Sequence, residues 1–209
     1  MTINLTEEEK IRVLNGDDLY SIMQRILLRE QKIDQNREHF WIVGLESNNR
    51  ILFIELISLG SIKSTTVHPM EVFSLALQKR SAKIILVHNH PSGNLSPSEA
   101  DKDMTDRLIQ VGIIVDTPVF DHLIITLKSY MSFREIGLLK ILERSTKYVP
   151  PYKLQDRMRK EAKEIGKKEG FKEVAKKLKL EGVDEETISK VTGLSIEDIK
   201  KIRISKKKG

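Results

Sequence analysis

Apolar positions recur at helical spacing early in the chain. Leu19, Ile22, Met23, Ile26 and Leu27 make one stripe, which predicts a helix from about Asp17 to Gln35 that packs on the main domain. Before it, Thr6-Glu7-Glu8-Glu9 reads as a capping box that opens a short helix ending near Gly16. Phe40 to Leu45 then reads as a strand, Ser47-Asn48-Asn49-Arg50 as a turn and Ile51 to Leu59 as the return strand of a hairpin. Along that second strand Ile51, Phe53, Glu55 and Ile57 share a face. Glu55 is thus a carboxylate among apolar neighbours, which is costly unless it is paired or reaches water at a sheet edge. A polar loop, Gly60 to Thr66, leads to His68-Pro69, a helix start with proline at the first position. This helix runs to about Arg80, with Val72, Leu75, Ala76 and Leu77 inward.

The next strand, Lys83 to Val87, runs into His88-Asn89-His90-Pro91-Ser92-Gly93. His88 and His90 are two apart, so on an extended backbone they point to the same side. Ser96-Pro97-Ser98-Glu99 reads as a helix start, with Ser96 as the cap, Pro97 first and Glu99 closing a capping box. Ser98 and Asp101 share a face of that helix, which runs to about Val111 and ends at Gly112. Ile113 to Asp116 and Leu123 to Thr126 read as strands, with Asp121 and His122 just before the latter. A histidine at a strand start more often makes a structural hydrogen bond than a metal bond, so His122 stays outside the expected ligand set. The order β-β-α-β-α-β-β predicts an α/β domain built on a mixed β-sheet flanked by helices.

At Tyr148-Val149-Pro150-Pro151-Tyr152 the pattern changes, and the proline pair marks a linker. Residues 153–180 are mostly Lys, Glu, Ala and Arg, a solvated helix with many i,i+4 pairs. After it, Val183 to Ile199 reads as helix, Thr-Gly turn, helix capped by Ser195. Val183, Ile188, Val191, Leu194, Ile196, Ile199 and Ile202 would make its small core. Lys206-Lys207-Lys208 is expected to be disordered. Three segments follow: a helical segment 1–37, a central domain 38–147 and a helical C-terminal extension 148–209.

Charge changes the picture at one end only. Residues 152–209 hold 18 Lys and Arg against 11 Asp and Glu, while residues 1–151 hold 18 against 19. The extension is the candidate for an acidic partner, and DNA is one such partner. There is no cysteine among the 209 residues, so a metal would need N and O ligands. The acidic, polar N-terminus lacks the form of a signal peptide, and no apolar run is long enough to span a bilayer. A cytoplasmic protein without membrane contact is expected.

Two histidines at a strand end and an aspartate on the following helix can meet at one point. With water as a fourth ligand, this set suits a catalytic zinc. The plainer alternatives are surface histidines, an aspartate complementing the helix dipole, and a turn that cradles phosphate.

His88-x-His90, seven residues, Ser98, two residues, Asp101 resembles the JAMM (MPN+) metallopeptidase motif. His88 to Gly93 and Asp121-His122-Leu123-Ile124-Ile125 are similar to signatures of its RadC-like branch, over roughly residues 38–140. The resemblance implies a JAB/MPN domain with cytidine-deaminase-like architecture. Deaminase chemistry itself is not supported, because its P-C-x-x-C ligands are missing. It further implies a zinc-dependent metallopeptidase or isopeptidase acting on a peptide or protein. His88, His90 and Asp101 would hold Zn²⁺, and Glu55 would move the proton from the attacking water to the leaving amine. Glu46 is a weaker candidate for that role, and Ser98 would donate to the oxyanion. Relatives usually have Tyr where His68 stands, so His68 is not taken as a ligand. Relatives often carry a separate helix-hairpin-helix domain, for which residues 1–37 are too short, so DNA binding by that route is not expected. The extension is similar to helix-turn-helix ends of mobile-element-associated proteins. The rival reading is therefore a DNA-repair or mobile-element-associated factor whose metal domain is structural or regulatory.

Overall fold

Trp41, Val43, Ile85, Val87 and Leu123 alternate with Phe40, Ile42, Ile84, Leu86 and Ile124, so the two sets point to opposite faces of one sheet. Both sets are buried, as happens when helices cover a sheet on both sides. The computed structural model describes residues 2–3, 6, 10–30, 32–60 and 67–202 and divides the chain into two compact units, 1–149 and 150–209.

In the first unit the strands are β1 (Thr2–Ile3), β2 (His39–Leu45), β3 (Ile51–Leu59), β4 (Lys83–Asn89), β5 (Val119–Ile125) and β6 (Tyr130–Ser132). Their order across the sheet is β1-β3-β2-β4-β5-β6. β4 and β5 run parallel and the other neighbours antiparallel, so the sheet is mixed as expected. Helix α1 (Gly16–Arg29) lays Leu19, Ile22, Met23, Ile26 and Leu27 on one face. A short α2 (Lys32–Gln35) follows. On the other face lie α3 (Pro69–Gln78), α4 (Glu99–Ile114) and α5 (Leu138–Leu142). β2 and β4 pair antiparallel, which sets the start of β2 beside the end of β4.

Several expected elements are corrected. The helix expected to reach Gln35 is broken at Glu30, whose φ −67° and ψ 151° are extended. The expected helix ending near Gly16 is absent over residues 10–15. Arg12 instead bridges Arg50, and Val13 N donates to Asn49 O. Glu7 to Glu9 of the expected capping box, Ser61 to Thr66 of the loop and the terminal lysines lie outside the described residues. Ile113 and Ile114 form the last turn of α4 rather than a strand, because Leu108, Ile109 and Gly112 continue its buried stripe. Gly112 does not end the helix; a Cβ there would sit 2.7 Å from Thr117 O, so glycine permits the close return of the chain. In α3, Phe73 is buried and Leu77 is exposed.

In the second unit the proline pair starts α6 (Pro151–Leu180), with Pro150 at the cap position. α7 (Glu185–Thr192) ends at Gly193, φ +68°, a left-handed turn that glycine adopts freely. Ser195 then caps α8 (Ile196–Lys201). The small core is Ala175, Ile188, Leu194 and Ile199, with Leu178, Val183 and Ile202 against it. Val191 and Ile196 are exposed, and Ala175 and Leu178 of α6 take the places expected of them. No helix of the described residues is long and apolar enough to cross a membrane.

Candidate metal centre

β4 sets His88 between Phe40 of β2 and Ile124 of β5, in the middle of the sheet. The strand is held to its end, where His90 N donates to Ile125 O. A turn closed by Gly93 N to His90 O then reverses the chain, with Pro91 at its second position. Gly93 has φ +79° and follows the turn without a Cβ penalty. The cap of α4 is Ser98, not Ser96. Ser98 Oγ accepts from Asp101 N at 3.1 Å, and Asp101 Oδ2 accepts from Ser98 N at 2.7 Å and from Ser98 Oγ at 2.6 Å. Both shared residues of the motif therefore form one capping box, and this box aims the carboxylate away from the helix.

His88 Nε2 and His90 Nε2 lie 2.9 Å apart. Asp101 Oδ1 is 3.2 Å from the first and Asp101 Oδ2 is 3.5 Å from the second. These three residues could hold a metal ion. His90 Nδ1 is 2.6 Å from Asn94 O. A carbonyl only accepts, so Nδ1 carries the proton and a neutral His90 turns its Nε2 lone pair to the centre. Burial opposes ionisation of Asp101, but the hydrogen bonds that His88 and His90 make when protonated, with the bond from Ser98, outweigh it and hold the carboxyl far below the usual range. The same hydrogen bond to Asp101 is the main cause that raises His90, and the charge of Glu38 adds to it.

The centre opens into a cleft of about 350 Å³ whose walls include Glu38, Phe40, Ser98 and Met104. Glu38 precedes β2 and was missed in the sequence. Its signal is positional: if β2 pairs antiparallel with β4, a carboxylate just before β2 lies at the histidine end. Asn89, between the two histidines, secures that placement. Its Oδ1 accepts from His39 N at 2.7 Å and its Nδ2 donates to Arg37 O at 2.9 Å, so it grips the backbone on both sides of Glu38. Glu55 is not among the lining residues. It stands opposite Ile42 on β3, whereas His88 stands opposite Phe40. That is two strands across, about 10 Å, and one pleat repeat along, about 7 Å. Glu46 follows the far end of β2, about 20 Å along the strand from Phe40. His68 takes the cap position of α3 but makes no side-chain cap bond. Among the described residues, none that lines the cleft is Lys or Arg.

His122 lies inside β5, fully buried beneath His88, with its Nε2 2.8 Å from His88 Nδ1. Its Nδ1 is 2.6 Å from Thr105 Oγ1 of α4. Burial is the main cause that pushes its pKa well below the usual imidazole value.

Comparison with known proteins agrees with this arrangement. The RadC-like JAB domain model matches residues 14–138. A UPF0758 protein of Pelodictyon phaeoclathratiforme is 44% identical over 106 residues, 51% of this chain and 48% of that protein. One of Desulforudis audaxviator is 43% identical over 112 residues, 54% of this chain and 49% of its own length. One of Methanosarcina mazei is 40% identical over 134 residues, 64% of this chain and 56% of its own. The chain spans about half the length of the curated relatives it matches. With two imidazoles and a capped aspartate at the helix-covered end of a mixed sheet, and a family match over more than half its length, the chain belongs to the RadC-like JAB domain family.

Proposed function

We propose that the chain is a zinc-dependent hydrolase that cleaves an amide bond in a peptide or protein. One observation carries this reading. Two imidazole Nε2 atoms and one carboxylate converge within 2.9–3.5 Å, and a second carboxylate lines the same cleft. Tetrahedral zinc with ligands at about 2.0–2.1 Å sets them about 3.3 Å apart, which suits these spacings. Three protein ligands of N and O type also fit zinc's habit at catalytic sites, where one position stays open. When bound here, zinc would supply an activated water near neutral pH and polarise the scissile carbonyl.

The chain's own residues would do the rest. Glu38 takes the proton of the attacking water and returns it to the leaving amine. Ser98 Oγ orients Asp101, and by turning toward the cleft it offers a hydrogen bond to the developing oxyanion. Phe40 stacks on the His88 ring at 6.3 Å between centroids and walls the centre from one side. The charges of a divalent ion, Asp101 and Glu38 cancel, and among the described residues no Lys or Arg lines the cleft. A neutral amide fits such a cleft better than a phosphodiester, whose transfer calls for cationic clamps.

The test is metal analysis of the purified chain with a peptidase and isopeptidase screen, run beside two variants. Glu38→Gln keeps zinc and lowers turnover by about 10²–10⁴-fold, the range for a general acid–base residue. Glu55→Gln keeps both. Turnover that survives Glu38→Gln and disappears with Glu55→Gln would return the proton-transfer role to Glu55.

A further inference from the structure

His88, His122 and Thr105 sit on β4, β5 and α4, and their polar atoms form one unbroken line. Thr105 Oγ1 is 2.5 Å from Asp101 O, one helical turn back. It is also 2.6 Å from His122 Nδ1, and His122 Nε2 is 2.8 Å from His88 Nδ1. Thr105 and His122 are both fully buried, so water does not compete for these atoms.

The direction of each bond follows from what each atom can do. A hydroxyl has one hydrogen, and a carbonyl oxygen has none. At 2.5 Å from Asp101 O, Thr105 Oγ1 must donate there, since two bare oxygens at that distance would repel. Thr105 Oγ1 therefore accepts from His122 Nδ1. A neutral His122 with its proton on Nδ1 has a bare Nε2, which accepts from His88 Nδ1. His88 then keeps its lone pair on Nε2, the atom that faces His90 and Asp101. The opposite direction would place a proton on His88 Nε2, where a metal would bind, and leave the short Thr105–Asp101 contact without a hydrogen.

We propose that Thr105 and His122 are positioning residues that fix the tautomer of His88 and so prepare its Nε2 to bind metal. This rests on reading His88 as a ligand. Partners beyond the ligands commonly set ring orientation and proton placement in metal sites. Here the line starts at the main-chain carbonyl of Asp101, whose side chain completes the ligand set, so two ligands are set by one line of bonds. His90 has a simpler device, its single bond to Asn94 O.

The experiment is long-range proton–nitrogen correlation on the full-length, metal-free, ¹⁵N-labelled chain at about pH 8.5, above the ordinary imidazole range. The expected result is a proton on Nδ1 of both His88 and His122. Zinc titration of three chains accompanies it. Thr105→Val removes the acceptor and keeps the shape. It moves the His88 proton to Nε2 and weakens zinc binding by about 10–100-fold, the usual cost of losing such a partner. Thr105→Ser restores both. A wild-type His88 with its proton on Nε2, or a Thr105→Val chain with tautomer and zinc affinity unchanged, overturns the proposal. If Thr105→Val fails to fold, the wild-type spectrum decides alone. A chain with the expected tautomers that ignores zinc would sink the hydrolase reading and leave the relay standing. Zinc binding with the opposite tautomer would do the reverse.

Discussion

Ser98 shows how much one small side chain can govern. Its Oγ accepts from Asp101 N and donates to Asp101 Oδ2, so it caps α4 and steadies a candidate ligand together. Ser98→Ala is expected to cost about 0.5–2 kcal/mol, as for other N-caps, and to weaken zinc binding as well. Thermal melting of metal-free protein reads the first effect and zinc titration the second; a cap loss with unchanged zinc affinity would leave Ser98 outside the centre. Asn89 has a different duty. Asn89→Ala strands His39 N and Arg37 O, of which His39 N is buried, and leaving a buried polar group unpaired costs about 1–3 kcal/mol. Because those atoms flank Glu38, turnover should fall while zinc stays bound. Loss of zinc in parallel with turnover would show that Asn89 supports the ligands instead.

At the scale of elements, the pairing of β2 with β4 matters most. It brings Phe40 to His88 and Glu38 to the cleft, and it depends on close packing at the other end of β2. There a Cβ on Gly44 would lie 2.1 Å from Phe53 Cε1 and 2.6 Å from Ser81 Oγ. Gly44→Ala should therefore destabilise the first unit by about 1–3 kcal/mol, as overpacking does. Denaturant melts measure this, and a neutral effect would mean that the Phe53 ring swings aside without cost. The elements also show where periodicity misleads. Ile113-Ile114-Val115 is β-branched and reads as a strand, but it completes a helix whose preceding turn is already packed. β5 begins at Val119, earlier than expected, because neighbouring β4 pairs with it from Ile84 onward.

For the whole molecule, charge and fold divide along the same line. The first unit encloses two apolar clusters of its own, and the second has one small cluster and the whole of the basic excess. We predict that residues 1–149 alone keep the fold and the zinc site, and that any duplex DNA affinity belongs to residues 150–209. If about 4–6 phosphates are neutralised, the logarithm of affinity should fall by about 0.9 per contact for each tenfold rise in salt. Salt-dependent binding by 1–149 would overturn this division. A full-length chain that ignores DNA at low salt would leave the second unit as a docking or spacing element. The first turn of α8 carries Glu197 and Asp198, which would repel phosphate, so the Lys-rich α6 is the better candidate for such contacts.

The three residues that could hold a metal were legible without a structure because local rules place them. Two side chains two apart on a strand share a side, and a serine three residues before an aspartate at a helix start makes a capping box. The layered α/β order was legible for the same reason, since most of the strands and helices declare their period over a few residues, Ile113 to Val115 and β6 being exceptions. Glu38, Asn89, Thr105 and His122 carry no such local signature. Glu38 meets the histidines because β2 lies antiparallel to β4, and Thr105 meets His122 because α4 packs over β5. Glu55, the carboxylate that the resemblance implies for proton transfer, stands on β3, two strands away from His88. Short-range periodicity thus determined which residues could ligate a metal, and long-range strand pairing alone decided which carboxylate and which histidine stand beside them.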